Sequence, residues 1–272
     1  MIRFFFRLLL LPLLALLVVG PSPLWGEAQD IHTQMLRATV KISHKDSTAT
    51  GFVLTPDNGK SFILVTAHHV LDKIQSNEAS IIFRSLVSEG EYHKQPTKLI
   101  IRKDDKPLWA KHPTEDVAAI SVTPPKDADL ALISTTCLAT EEILRETKIH
   151  PGQQSYLLGY PHREEASEAG FPILRSGPIA TYPLLPTQKT KTFYLSTPIF
   201  SGDSGGPVYT TRDEAADPSA QDEPLILGVV HGQRFVNDTI KGNYITVKTH
   251  HQFGLAIIVH ASSIVETIAL MK

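Results

Sequence analysis

Ser204 is the residue whose neighbours best suit it to act as a nucleophile in this 272-residue sequence. Residues 202–207 read G-D-S-G-G-P, with glycine two positions before the serine and directly after it. A serine that attacks a carbonyl needs an exposed hydroxyl on a tight turn, with backbone N–H groups facing the oxyanion that forms. Glycine adopts the backbone conformations that such a turn requires. We therefore predict an oxyanion hole formed by the N–H groups of Gly202 and Ser204.

Two adjacent histidines, His68 and His69, are candidates for the base that Ser204 requires. They follow an apolar run, and residues 65–70 read V-T-A-H-H-V. Histidine is the usual general base because its ordinary pKa lies near neutrality. Adjacent side chains point in different directions, so only one of the two can face a given cleft. The pair is not predicted to bind a metal, because no third-ligand pattern accompanies it.

Two aspartates could supply the carboxylate that orients such a histidine. Asp116 precedes V-A-A-I, and Asp129 precedes L-A-L-I. Both give the chain order His, Asp, Ser, which is found in chymotrypsin barrels and differs from the order in subtilisins and α/β-hydrolases. The local pattern leaves both aspartates open.

Short apolar runs rich in β-branched residues must position these side chains. About a dozen such runs are separated by clusters of Pro, Gly, Asp, Asn and Ser, which is typical of an all-β barrel or sandwich. Helical patterns are few, and we predict short helices near residues 70–75 and 141–146. A C-terminal helix is predicted over residues 262–271, where apolar residues recur at helical spacing after a serine.

Three ordered motifs resemble those of the trypsin-like (chymotrypsin-clan) serine peptidases. T-A-H-H at residues 66–69 resembles the family's T-A-x-H, D-V-A-A-I at 116–120 resembles its aspartate motif, and residues 202–207 match its G-D-S-G-G-P. Weaker similarity extends over roughly residues 38–268. Within it, G-L-A-I at 254–257 resembles the Deg-like bacterial branch. We expect no PDZ domain, since the sequence ends at Lys272.

The resemblance implies an all-β chymotrypsin-like fold within a peptidase domain of residues 27–272. Two antiparallel, six-stranded Greek-key β-barrels are expected, the N-terminal one over about residues 36–135 and the C-terminal one over about 150–261. The short C-terminal helix would follow the second barrel. The catalytic cleft would lie between the barrels.

The resemblance also implies a serine endopeptidase that forms an acyl-enzyme with a catalytic triad. It assigns the base to His69 and the nucleophile to Ser204. It favours Asp116 as the acid, because residues 109–113 form a lead-in typical of bacterial members, and Asp129 remains the alternative. No cofactor or metal is predicted.

Substrate-binding residues are predicted in the strand after the serine, at Val230, His231 and Gly232. Protein or peptide substrates are implied by the family. No acidic residue lies at the predicted pocket base near Thr197 and Pro198, which argues against a preference for Arg or Lys. His231 resembles the histidine that glutamyl endopeptidases use near this position, one residue earlier, and this resemblance suggests the hypothesis of a preference for glutamate.

Two departures from the animal enzymes concern Cys137 and Asp203. Cys137 is the single cysteine, so no intramolecular disulfide can form, which fits the bacterial branch. In animal enzymes the acid before the serine pairs with an N-terminus released by cleavage. The sequence shows no such start, and whether Asp203 has another partner or needs a processing event stays open.

Charge and the amino terminus indicate where the protein works. The sequence has 26 Lys and Arg against 28 Asp and Glu, a balance that argues against nucleic-acid binding. Residues 1–26 combine Arg3 and Arg7 with an apolar run at 8–19 that is shorter than the roughly 20 residues of a membrane span. We predict a signal peptide, cleaved after Gly26 or Ala28. The mature protein would be periplasmic or secreted, without stable membrane association.

Two other functions remain open at this point. The first is a catalytically silent barrel that serves as a binding or scaffold protein. The second is a metal-dependent hydrolase that uses some of the 12 histidines. The intact histidine, aspartate and serine motifs favour the peptidase over both, and the sequence carries no information on oligomeric state.

Overall fold

Strands dominate the computed structural model, which describes residues 30–45, 47–211 and 223–271. The strands are β1 (Thr39–His44), β2 (Ser47–Leu54), β3 (Ile63–Thr66), β4 (Glu78–Ser88), β5 (Glu91–Ile100), β6 (Arg102–Lys103), β7 (Lys106–Pro107), β8 (Ala110–Lys111), β9 (Ala118–Ser121), β10 (Gln154–Gly159), β11 (Ile173–Pro178), β12 (Thr192–Ser196), β13 (Pro207–Thr211), β14 (Pro224–Lys241) and β15 (Thr246–His260). The helices are α1 (Ile31–Ala38), α2 (His68–Asp72), α3 (Glu141–Glu146) and α4 (Ala261–Ala269), with 3₁₀ turns at Thr135–Cys137 and Pro161–Arg163. The predicted signal peptide at residues 1–26 lies outside the described residues.

The N-terminal half forms a curled antiparallel sheet in the order β5-β4-β1-β2-β3-β9-β8. It has seven strands where six were expected, because the two-residue strand β8 pairs with β9 at one edge. The register of β3 against β9 sets Thr66 opposite Ala118. The end of β3 and the beginning of β9 are therefore neighbours, and His69 and Asp116 lie just beyond them.

The C-terminal half forms a six-stranded antiparallel sheet in the order β11-β10-β13-β14-β15-β12. A bridge between Ile179 and Leu195 links its two edges, so this sheet curls back on itself. The turn that carries Ser204 precedes β13. It is fastened to β14 because Gly205 N–H donates to the carbonyl of Val230, and Val230 N–H donates to the carbonyl of Gly206.

Thr50 in β2 joins the two halves at the turn of the candidate nucleophile. Its N–H donates to the Ser204 carbonyl at 2.9 Å, and its hydroxyl donates to the Gly202 carbonyl at 2.7 Å. The Thr66 hydroxyl donates in turn to the carbonyl of Thr50. These buried bonds bring the turn of the second sheet against the strands that precede His69.

Two clusters of buried apolar side chains stabilise the two sheets. One lies within the N-terminal sheet and includes Val40, Leu64 and Ile81. The other continues from the N-terminal sheet into the C-terminal one and includes Phe52, Leu158 and Val229. Because the second cluster spans both sheets, burial of apolar surface contributes to their association as well as to each sheet.

The helices lie at the ends and edges of the sheets. Helix α3 has the bounds predicted from the sequence, and α4 begins one residue earlier and ends two earlier than predicted. Helix α4 contacts the N-terminal sheet, where Glu266 accepts a hydrogen bond from the His112 ring at 2.8 Å. None of the helices formed by the described residues is long and apolar enough to cross a membrane.

Candidate active site

His69 and Asp116 meet at the cleft between the sheets. Helix α2 begins directly after β3, and its second residue, His69, makes two contacts with the carboxylate of Asp116. The backbone N–H of His69 donates to Asp116 Oδ1 at 2.8 Å, and the ring atom Nδ1 lies 2.5 Å from Asp116 Oδ2. Both carboxylate oxygens are thus engaged, which fixes the orientation of the imidazole ring. Adjacent His68 faces Trp109 instead, with ring centroids 6.3 Å apart.

Asp116 also contacts a second histidine. The Nδ1 atom of His231 lies 2.6 Å from the same Oδ2 atom of Asp116. Burial alone would raise the pKa of Asp116, but hydrogen bonds from His231 and His69 outweigh it and hold that pKa far below its ordinary value. Asp116 is therefore a carboxylate anion at neutral pH. The hydrogen bond to Asp116 raises the pKa of His231 in turn, against the effect of burial.

Asp129, the alternative acid, lies elsewhere. Its carboxylate pairs with Arg37, with Arg37 Nη2 2.5 Å from Oδ1. Its N–H donates to the carbonyl of Arg84 at 2.7 Å. Both contacts belong to the packing of α1 and β4 against the loop after β9, so the structure brings Asp116 to His69 and does not bring Asp129 there.

Glycine shapes the turn that carries Ser204. Gly202 has a φ of +106°, and a Cβ atom there would overlap the carbonyl oxygen of Tyr160. Gly205 has a φ of +86°, and a Cβ atom there would collide with Thr66 and with the carbonyl of Thr50. Both positions require glycine for backbone conformation and for space. Ser204 itself is partly exposed and contributes to the cleft.

The two N–H groups of the predicted oxyanion hole are not used by the part of the fold that the structure describes. The carbonyl of Ser201 accepts a hydrogen bond from His162 N–H at 2.7 Å. The C=O and N–H of a trans peptide point in opposite directions, so the N–H of Gly202 faces away from His162. Among the described residues, neither Gly202 N–H nor Ser204 N–H has a hydrogen-bond acceptor. Both donors are available to a ligand oxygen.

Asp203 has a partner inside the fold, which was left open by the sequence. Arg175 Nη2 lies 2.5 Å from Asp203 Oδ1, and Phe200 N–H donates to Oδ2 at 2.6 Å. Burial raises the pKa of the completely buried Asp203 carboxyl, while the positive charge of Arg175 acts against that shift. Arg175 also donates to the carbonyl of Pro198, so one side chain anchors both ends of the turn. Nothing in the sequence singled out Arg175.

A cavity of about 140 Å³ lies beside Ser204. His69, Gly202 and Ser204 all contribute to its wall. The predicted substrate-binding residues lie along β14, where Val230 is buried and Gly232 is partly exposed. The His231 side chain is 43% exposed and turns its Nδ1 atom toward Asp116. Strand β14 is thus held beside the turn of Ser204 by the hydrogen bonds of Val230.

The one set of described residues able to offer three metal-ligand atoms at short range is His69, Asp116 and His231. One ring nitrogen from each histidine and one carboxylate oxygen lie within 4.8 Å of one another. This donor set includes the carboxylate of the candidate triad, Asp116. Two neutral imidazoles and a carboxylate suit a borderline divalent metal ion better than a hard one.

Two solved structures of Rv3671c protease from M. tuberculosis H37Rv in an inactive form, one a serine-to-alanine mutant, are similar to this chain. Each is 18% identical, with TM-scores of 0.49 for the mutant and 0.48 for the other. The match covers 93% of this chain in both cases, and 95% and 98% of those chains respectively. No curated protein sequence matches.

The family match is the finding that identifies the chain. The trypsin-like peptidase domain matches residues 49–215, which is more than half of the sequence. The matched segment contains the histidine, the aspartate and the serine described above, on an all-β chymotrypsin-like fold. The chain therefore belongs to the trypsin-like peptidase family and is a serine protease.

Proposed function

We propose that the protein is an exported serine endopeptidase in which Ser204 is the nucleophile, His69 the general base and Asp116 the orienting carboxylate. The observation that carries this proposal is the double contact of His69 with Asp116 beside a cavity that Ser204 also lines. Protein or peptide chains are the proposed substrates.

The arrangement of His69 supplies the required tautomer. A neutral imidazole carries hydrogen on one ring nitrogen only. In His69 the hydrogen on Nδ1 donates to the Asp116 carboxylate, so Nε2 keeps its lone pair. That lone pair accepts the hydroxyl proton of Ser204 during attack. The imidazolium that results is stabilised by the adjacent anion, Asp116.

The reaction then proceeds through an acyl-enzyme. Ser204 Oγ bonds to the substrate carbonyl carbon, and the resulting oxyanion accepts hydrogen bonds from Gly202 and Ser204 N–H. The C–N bond breaks as His69 returns its proton to the leaving amine. Water then attacks the ester, again with His69 as base, and releases the acid and free Ser204. No step requires a metal.

Labelling with a fluorophosphonate tests the nucleophile. Such a reagent reacts with activated serines, and we expect it to label the wild-type chain and to leave Ser204→Ala unlabelled. Ser201→Ala is the matched control, since Ser201 lies in the same turn, is exposed and has no proposed role. A wild-type chain that never labels would favour the catalytically silent scaffold.

A peptide panel tests the substrate assignment. Peptides with Glu, Leu, Ala or Arg before the scissile bond distinguish a glutamate preference from the alternatives. The absence of an acidic residue near Thr197 predicts slow cleavage after Arg. Fast cleavage after Arg alone would contradict the prediction that the enzyme does not prefer Arg or Lys before the scissile bond.

Export is tested by the mature N-terminus. The chain expressed in a bacterial host should be recovered outside the cytoplasm, with residues 1–26 or 1–28 removed. Mass spectrometry of the recovered protein reads the cleavage site directly. A full-length chain retained in the cytoplasm or in the membrane would contradict the signal peptide.

A further inference from the structure

The carboxylate of Asp116 holds one more histidine than the proposed mechanism uses. His69 and His231 approach the same oxygen, Oδ2, at 2.5 Å and 2.6 Å. Their rings are nearly perpendicular, at 84°, with centroids 6.1 Å apart. Both Nδ1 atoms therefore converge on one carboxylate oxygen of Asp116.

We infer that His69, Asp116 and His231 form a site at which a borderline divalent cation of the Zn²⁺ type binds and reversibly inhibits the peptidase. The inhibitory part of this inference rests on the proposed function. The ligands would be the Nδ1 atoms of both histidines and Oδ2 of Asp116, with water or substrate in the fourth position.

The donor chemistry fits such an ion. Zn²⁺ binds imidazole nitrogen and carboxylate oxygen in tetrahedral sites, and three protein ligands with an open fourth position are common. Asp116 is an anion at neutral pH, so it partly neutralises the dication. Mg²⁺, which prefers octahedral oxygen ligands, should bind poorly.

The spacing requires only a small adjustment. With metal–ligand bonds of about 2.0–2.2 Å, ligand atoms in a tetrahedral site lie roughly 3.4 Å apart. The present nitrogen–oxygen distances are 2.5 Å and 2.6 Å, so each would have to increase by about 0.8–0.9 Å to reach this tetrahedral spacing. His231 can move most easily, because its side chain is 43% exposed while that of Asp116 is 16% exposed. The same exposure provides an entry path from solvent.

Binding would inhibit because it changes the tautomer of His69. A metal ion on Nδ1 displaces the hydrogen that now lies between His69 and Asp116. The neutral ring then carries its hydrogen on Nε2, so no proton is released and Nε2 loses its lone pair. Ser204 is left without a base. Removal of the ion restores the original tautomer, so inhibition is reversible.

Calorimetric titration of Ser204→Ala with Zn²⁺ tests the site without relying on activity. We expect one Zn²⁺ per chain and no comparable binding of Mg²⁺. His231→Ala in the same background should weaken zinc binding by roughly 100-fold or more, since even changes outside the ligand shell cost 10–100-fold. His93→Ala is the matched control, because His93 is an exposed histidine near another carboxylate, that of Glu91, at 3.6 Å. Equal zinc affinity of Ser204→Ala with and without His231→Ala would overturn the inference.

A second variant and a second measurement keep the test decisive. If His231→Ala unfolds, His231→Gln replaces it, since its amide can still donate to Asp116 but is a poor zinc ligand. In the wild-type chain, Zn²⁺ should suppress fluorophosphonate labelling of Ser204, and a chelator should restore it. Zinc that binds without suppressing labelling contradicts the inhibitory role. A wild-type chain that labels under no condition contradicts the proposed function, while the calorimetric result still decides the metal site.

Discussion

Carboxylates held by histidine and carboxylates held by arginine occupy different regions of this molecule. Asp116, between the two sheets, contacts His69 and His231. Asp129 in the N-terminal half contacts Arg37, and Asp203 in the turn that carries Ser204 contacts Arg175. All three are largely or completely buried, with 16%, 8% and 0% of their side chains exposed.

The type of partner distinguishes carboxylates that stabilise the fold from the one that can assist proton transfer. Arginine stays charged at any ordinary pH, so Arg37 and Arg175 can only pair with and position their carboxylates. Histidine gains and loses a proton near neutrality, so the same kind of acid beside His69 can support proton transfer. The partner of each carboxylate, more than its burial, distinguishes the candidate catalytic acid.

Asp116→Asn should produce the largest effect. The amide cannot stabilise the imidazolium, and it favours the wrong tautomer of His69. We expect kcat to fall by about 10⁴-fold with the fold retained. Peptide hydrolysis measures the rate, and circular dichroism checks the fold. A small loss of kcat would remove the distinction drawn between Asp116 and the other two acids.

Arg175→Met should have the next largest effect, on stability. It leaves the buried Asp203 carboxylate without its cation, which costs about 3–5 kcal/mol in comparable buried pairs. Urea denaturation measures the free energy of unfolding. The double variant Arg175→Met, Asp203→Asn should recover much of that loss, because no unpaired charge remains. Equal stability of Arg175→Met and the wild type would show that this pair does not hold the turn.

His260 extends the comparison to a buried histidine whose ring, within the described residues, has no hydrogen-bond partner. Burial lowers the pKa of His260 from 6.5 to about 4. At pH values between about 4 and 6.5, His260 binds more protons in the unfolded chain than in the folded one. The free energy of unfolding therefore falls as the pH falls through this range, by about 3 kcal/mol in all.

The variant His260→Phe tests whether His260 causes this loss of stability at low pH. The His260 ring packs on Phe193, with centroids 4.8 Å apart, so an aromatic replacement keeps the contact. We expect the variant to lose this part of the acid sensitivity and to match the wild type in pH dependence above about pH 7. Urea denaturation from pH 4 to 8 makes the measurement. An unchanged pH dependence would contradict the buried, neutral state of His260.

Asp129→Asn should have the smallest effect. Its partner Arg37 is 28% exposed, and such pairs contribute about 1 kcal/mol or less. We expect a loss of that size in the free energy of unfolding, with kcat unchanged. Together with Asp116→Asn this variant decides between two aspartates that precede similar sequences. A large fall in kcat for Asp129→Asn would reverse the assignment.

Local patterns predicted most of the elements but missed one long strand, β5, and one helix, α1. Helix α3 follows Thr140, whose side chain caps Ile143 N–H, and its bounds were predicted from sequence. Helix α1 was not predicted, although Asp30 caps Thr33 N–H and Ile31, Met35 and Ala38 are its buried residues. Helix α1 runs directly into β1, so its apolar residues merge with the apolar run of that strand and give no separate helical pattern.

Long-range contacts in the site could not be read from the sequence. The contact between Asp116 and His231 joins residues 115 positions apart, and that between Arg175 and Asp203 joins residues 28 apart. Nothing near His231 in the sequence indicates which way its ring points. The signal that could have identified Arg175 is a buried acid in need of a cation, which became visible only with the burial of Asp203.

The sequence by itself determined the all-β class, the order of histidine, aspartate and serine, and the glycines around Ser204. These follow from local rules, because strand periodicity and the conformational freedom of glycine act over a few residues. The tertiary structure alone decided which aspartate meets His69, what neutralises Asp203 and that His231 shares the carboxylate of Asp116. Those outcomes depend on strand register and on the packing of two sheets, which bring together groups that no local pattern connects.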